Sequence, residues 1–168
     1  MARLGEHLPR LLVDRGVEVA FGIPGVHTVE FYRGLPGSGL RHVTARHEQG
    51  AGFMADGYAR ACGAPAACFV ITGPGMTNIA TAMGQALNDS IPMLVISSNN
   101  PRARQGKGLG DLHDMRDQSG FAAHLARWSR RIETPEALAE ALDAALDTFA
   151  SARPGPVHIE IPLDVLTA

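Results

Sequence analysis

The sequence predicts an α/β domain: a three-layer sandwich with a mostly parallel sheet and helices on both faces. Three observations lead there. Short apolar runs of strand length alternate along the chain with segments of helical apolar spacing, the order that a parallel sheet with crossover helices requires. The 168 residues, 45% of them hydrophobic and 19% charged, suffice for one domain with a real core. With 19 glycines and only 5% aromatic residues, the elements must approach closely or cradle a ligand with backbone.

The elements follow in order. Leu4, Leu8, Leu11 and Leu12 sit at helical spacing before Asp14-Arg15-Gly16, and residues 17–21 form a short apolar strand ended by Gly22-Ile23-Pro24-Gly25. A short helix over 27–34 leads to the turn Pro36-Gly37-Ser38-Gly39 and a strand over 40–43. Residues 48–61 read as a helix despite Gly50, Gly52 and Gly57. Each glycine costs that helix about 0.5–1 kcal/mol relative to alanine, so the missing side chains must be put to use. A strand over 66–72, the turn Gly73-Pro74-Gly75, a helix over 76–87 and a strand over 93–97 come next. Residues 101–110 carry Arg102, Arg104, Lys107 and three glycines without apolar period, which predicts a mobile surface loop ordered by a ligand or partner. A strand over 128–132 precedes a helix over 135–149, opened by a Thr134 cap with Leu138, Leu142, Leu146 and Phe149 on one face. The last strand spans 157–161, and a linker to another domain is expected after it.

Fifteen basic against 17 acidic side chains leave a net charge of -2, which predicts neither a nucleic-acid partner nor a polybasic membrane anchor. The apolar runs are too short for a bilayer span, the first residues lack a leader's apolar region, and Cys62 and Cys68 are too few for a disulfide framework. A cytoplasmic location is the expectation. Gly73-Pro74-Gly75-Met76-Thr77-Asn78 follows a strand and opens a helix as a phosphate loop would, but Asn78 stands where the dinucleotide fingerprint needs its third small residue. His47-Glu48 begins like a zinc-protease helix, yet position 51 is Ala51. No metal site is expected in the chain.

What remains is Arg46-His47-Glu48-Gln49-Gly50-Ala51-Gly52, a polar cluster at a strand-to-helix junction. Together with Ala55-Asp56-Gly57-Tyr58-Ala59-Arg60 it resembles the thiamine-diphosphate-dependent enzymes of the acetolactate synthase and 2-oxo acid decarboxylase group. So do Phe21-Gly22-Ile23-Pro24-Gly25, Thr72-Gly73-Pro74-Gly75-Met76-Thr77-Asn78, Asn88-Asp89-Ser90-Ile91-Pro92 and Gly155-Pro156-Val157-His158-Ile159-Glu160-Ile161-Pro162, in register over nearly the whole chain. The segments Gly22-Ile23-Pro24-Gly25-Val26-His27-Thr28-Val29-Glu30 and Leu112-His113-Asp114-Met115-Arg116-Asp117-Gln118 are similar to the 5-guanidino-2-oxopentanoate decarboxylase branch. Ile23 stands where acetolactate synthases commonly carry an aromatic residue, and Phe53 lies near a position at which they carry histidine.

The resemblance implies a single pyrimidine-binding domain over residues 1–168, the N-terminal part of a longer three-domain enzyme. It places Glu48 at the family's cofactor-activating glutamate, whose carboxyl hydrogen-bonds the aminopyrimidine ring so that the cofactor serves as its own base. Such a group works best in dry, apolar surroundings, which Gly50 to Met54 would supply. Pro24, Gly25 and Val26, with Gly73, Pro74, Gly75, Thr77 and Asn78, correspond to the two loops that approach the pyrimidine. The family's Gly-Asp-Gly magnesium and diphosphate motif is missing, the one Gly-Asp being Gly110-Asp111 before Leu112, so another domain would bind Mg2+. The partners implied are a second copy, in a homodimer or higher homo-oligomer, the diphosphate-binding domain of a partner subunit, and a small 2-oxo acid. The small residues of the Glu48 helix, and Ala80, Thr81 and Gly84 of the next, are candidate dimer surfaces. The activities implied are 2-oxo acid decarboxylation, in a fragment or in a split enzyme such as sulfopyruvate decarboxylase, and acetolactate-type carboligation. A non-catalytic regulatory or scaffolding domain is the reading from another class.

Overall fold

The central strands of the sheet are buried at every position, so both of its faces are covered. The computed structural model describes residues 3–151 and 153–168. Its strands are β1 (Val19–Gly22), β2 (Arg41–Thr44), β3 (Ala66–Val70), β4 (Met93–Asn99), β5 (Ser129–Arg131) and β6 (Pro156–Pro162). They form one sheet in the order β2-β1-β3-β4-β6-β5, with every neighbouring pair parallel. The helices are α1 (Leu4–Val13), α2 (Val29–Arg33), α3 (Glu48–Cys62), α4 (Pro74–Asp89), α5 (Gln118–Ala123), α6 (Glu136–Phe149) and α7 (Leu163–Leu166).

Alternate strand residues divide between two cores. Ala20, Phe69, Leu94, Ile96, Ile159 and Ile161 pack under α1, α2, α6 and α7, while Val19, Phe21, Cys68, Val70 and Val95 pack under α3, α4 and α5. The domain is thus a three-layer α/β sandwich. In α1, Leu4, Leu8 and Leu12 form the buried stripe although Pro9 lies inside the helix. Each buried leucine contributes about 1.5–3 kcal/mol, so the three together outweigh the roughly 3 kcal/mol that an interior proline costs.

Each of the six expected strands forms, with ends within two residues of expectation. One local expectation fails, and two segments make contacts that a local reading did not foresee. The Thr134 cap is not made: Pro135 holds the N-cap position of α6 and no side chain caps it. The segment 101–110 is held in place by the chain's own acids: Arg104 pairs with Asp111, the Gly106 and Gly108 N–H groups donate to Asp114, and Arg102 reaches Asp164 and Glu133. Those acids all lie outside the segment, so a local reading saw only its cations. After β6 the chain turns into α7, with Val165 and Leu166 buried and the Leu4 N–H donating to the Ala168 carbonyl at 3.0 Å.

The topology also makes a crevice. From β1 the chain goes out to the edge strand β2 and returns to the other side of β1 at β3. The connection after β1 enters α2 on one face and that after β3 enters α4 on the other, so the two part at the carboxyl ends of neighbouring strands. Open α/β sheets place their ligands at such a switch point.

Candidate functional site

Glu48 opens α3 at this end of the sheet. His47 is in extended backbone before it, and its Nδ1 accepts the Gln49 N–H at 3.1 Å, capping the helix. The carboxylate is half-buried. Asn78, one turn into α4, donates from Nδ2 to Glu48 Oε2 at 2.9 Å, and among the described residues no side-chain or backbone donor reaches Oε1. A Cβ on Gly75 would come within 3.6 Å of Oε1, so the glycine keeps the approach to that oxygen open.

The two loops close around this point. A Cβ on Gly25 would fall 2.6 Å from Ile71 Cδ1, and one on Gly75 would fall 2.8 Å from Ile71 Cγ2, which sets the β1 and β3 loops on either side of one isoleucine. His27 is buried, with Nδ1 3.1 Å from Thr72 Oγ1 and its ring edge-on to His113, centroids 6.0 Å apart. Burial, then the neighbouring His113, lowers the His27 pKa from its ordinary value. Gly73 has φ +62°, and a Cβ there would run into the His113 carbonyl oxygen, so no other residue fits the turn unstrained.

Glu48, Gly75 and Asn78 are therefore in one cluster, with Gly25 and Gly73 in the loops beside it. Other candidates stand apart. Val26 is 71% exposed, Pro74 is exposed, and Thr77 turns its hydroxyl back to the Pro74 carbonyl at 3.0 Å. The apolar enclosure expected around Glu48 is not formed by the following residues, because helical periodicity turns Gly50 and Phe53 outward while Ala51 and Gly52 face inward. Gly52 is used within the chain, against α4, whereas Gly50 and Gly57 have no atom within 4 Å of a Cβ position.

A profile described as "Thiamine pyrophosphate enzyme, N-terminal TPP binding domain" matches residues 2–121. The chain belongs to this family. It is 61% identical over 164 residues to the Pseudomonas aeruginosa protein named "Probable 2-ketoarginine decarboxylase AruI", a match covering 98% of this chain and 29% of that protein. It is 38% identical over 164 residues to acetolactate synthase isozyme 1 large subunit of Escherichia coli, covering 97% and 29%. To the mitochondrial acetolactate synthase catalytic subunit of Saccharomyces cerevisiae it is 34% identical over 165 residues, covering 98% and 24%. The chain spans less than a third of the length of each.

In this thiamine pyrophosphate enzyme domain the structure also brings in polar residues to which the sequence reading gave no role of their own. Gln118, buried at the start of α5, accepts the Gly73 N–H at 2.8 Å through Oε1. Buried His158 sits between the Ser97 and Ser129 hydroxyls at 2.8 and 2.7 Å. One signal was available: Ser97-Ser98-Asn99 and the alternation of His158 and Glu160 with aliphatic residues put polar groups inside strands whose neighbours are all buried. No helix among the described residues is long and apolar enough to cross a membrane.

Proposed function

We propose that this chain is the pyrimidine-binding domain of a thiamine-diphosphate-dependent 2-oxo acid decarboxylase, that Glu48 is its cofactor-activating carboxylate, and that the substrate is 5-guanidino-2-oxopentanoate. The observation that carries the reading is the Glu48 carboxylate at the switch point, with Oε2 tied to Asn78 and Oε1 left open. A single open carboxylate oxygen fits the ring nitrogen of an aminopyrimidine. When bound, thiamine diphosphate supplies an electron sink for the pair released as the substrate carboxylate leaves as carbon dioxide. With the cofactor bound, Glu48 Oε1 would hold a proton for the pyrimidine ring nitrogen, Asn78 would keep the carboxylate from rotating away, and the backbone at Gly25 and from Gly73 to Gly75 would approach the ring.

The substrate rests on the likeness to the Pseudomonas protein, since 2-ketoarginine is 5-guanidino-2-oxopentanoate. Acetolactate-type carboligation is the second reading, favoured by the Escherichia and Saccharomyces relatives. The short span relative to all three supports a longer enzyme, and the match to an N-terminal domain profile supports an N-terminal position within it. In this reading the enzyme has three domains, and Mg2+ and the diphosphate are held by another domain of a partner subunit. A homodimer belongs to the same reading. Gly50 and Gly57 weaken α3 with no neighbour to explain them, and Phe53 between them is 41% exposed, so a second copy on this face would use all three. The two unpaired cysteines support a cytoplasmic location.

In the complete enzyme, Glu48→Gln keeps the shape but cannot exchange a proton, and turnover falls about 10²–10⁴-fold. Turnover within threefold of wild type overturns the assignment. The isolated chain binds thiamine diphosphate and Mg2+ weakly in titration calorimetry and decarboxylates nothing.

A further inference from the structure

Gln118 is 2% exposed, and its amide has one workable orientation. Oε1 accepts the Gly73 N–H at 2.8 Å, while Nε2 lies 2.9 Å from the Ser98 carbonyl, 3.0 Å from Ser97 Oγ and 3.0 Å from Glu160 Oε2. Turning the amide over would set its N–H groups against the Gly73 N–H and its oxygen against a carbonyl and a carboxylate. The base it stands on is rigid: Asp117 caps α5 by accepting the Gly120 N–H at 2.8 Å, and Glu160 is 1% exposed in the middle of β6.

The other end of the contact is the weak point of the site. Gly73 is the N-cap of α4, with no side chain to cap the helix and no acidic residue in the first turn. Its own N–H is buried and has Gln118 as its partner. From there the helix carries Gly75 past Glu48 Oε1 and Asn78 to Glu48 Oε2. We propose that Gln118 is a positioning residue for the candidate site: anchored on Ser97, Ser98 and Glu160, it sets the Gly73 turn, and through the first turns of α4 it sets Asn78 and the Glu48 carboxylate. Its consequence for cofactor use rests on the reading of Glu48 given above, whereas its effect on the Gly73 turn does not.

Two measurements test it. In the 168-residue chain, Gln118→Met, which fills similar space without hydrogen bonds, accelerates amide exchange at Gly73 at least about tenfold and leaves Val95 and Ile96 of β4 within about threefold. Gln118→Glu retains the oxygen that accepts from Gly73, can share a proton with Glu160, and keeps Gly73 protection within about threefold of wild type. In the complete enzyme, Gln118→Met raises the thiamine diphosphate concentration for half-maximal rate about tenfold, because binding must then order the turn, with kcat at saturating cofactor within about threefold. Glu48→Gln shows the opposite division, with kcat lost. Unchanged exchange at Gly73, or equal acceleration at Gly73, Val95 and Ile96, overturns the proposal. If Gln118→Met does not fold, Gln118→Glu decides, and loss of Gly73 protection there overturns it. Active Glu48→Gln enzyme sinks the reading of Glu48 and leaves the exchange result to judge Gln118.

Discussion

Two glycines of one helix should respond oppositely to the same added methyl group. At Gly52 a Cβ would stand 2.6 Å from Ala82 Cβ and 2.9 Å from Ile79 Cγ1, and both neighbours are fully buried in α4. Ala82 Cβ cannot rotate out of the way, so α3 must lift off α4 and open the packing beneath it. Such overpacking costs about 1–3 kcal/mol, against a gain of about 0.5–1 kcal/mol from replacing a helical glycine. Gly52→Ala is therefore neutral to destabilising by about 2 kcal/mol, whereas Gly57→Ala, with no atom within 4 Å, keeps only the gain. The difference between the variants, roughly 1–3 kcal/mol, corresponds to about 3–10 °C in Tm for a domain of this size. Thermal unfolding followed by circular dichroism in dilute solution, where self-association is least, reads it directly. Equal shifts of the same sign would refute the packing of α3 on α4. Repeating the measurement at high concentration separates the interface reading, because a second copy seated on α3 would turn the Gly57→Ala gain into a concentration-dependent loss.

Two further outcomes follow from buried groups. Burial lowers the pKa of His158 from 6.5 to about 3, so its stabilising contribution is complete above about pH 6.5 and is lost as the pH falls from there toward 3, the unfolded chain taking the proton first. His27 and His42, also lowered by burial, act in the same direction, and Glu160, raised by burial, acts in the opposite one. Between about pH 7 and 5, urea unfolding of His158→Gln should lose about 2 kcal/mol less than wild type, and a parallel pH dependence would refute the assignment. Cys62 is exposed, while the buried Cys68 thiol is pushed up to about 12 by burial and points at the Ala51 carbonyl, 3.7 Å away. A thiol reagent should therefore titrate one cysteine in the folded chain and both in denaturant; rapid reaction of two would mean that β3 is open to solvent.

The sequence by itself determined the succession of strands and helices, because apolar runs and helical spacing are local patterns that burial on two faces enforces within a few residues. It also placed Glu48 at the start of α3 and the glycine turns at the ends of β1 and β3, since strand ends, turns and helix starts carry their own residue chemistry. What the tertiary structure decided were the partners. Asn78 and Glu48 lie 30 positions apart, Gly73 and Gln118 lie 45 apart, and Arg102 and Asp164 lie 62 apart. No local pattern couples such pairs; the parallel sheet does, by bringing the carboxyl ends of β2, β3, β4 and β6 to one side. The same reason separates the glycines of α3. All three read alike in a helical window, but only the side of the helix that meets α4 makes Gly52 a contact and leaves Gly50 and Gly57 open.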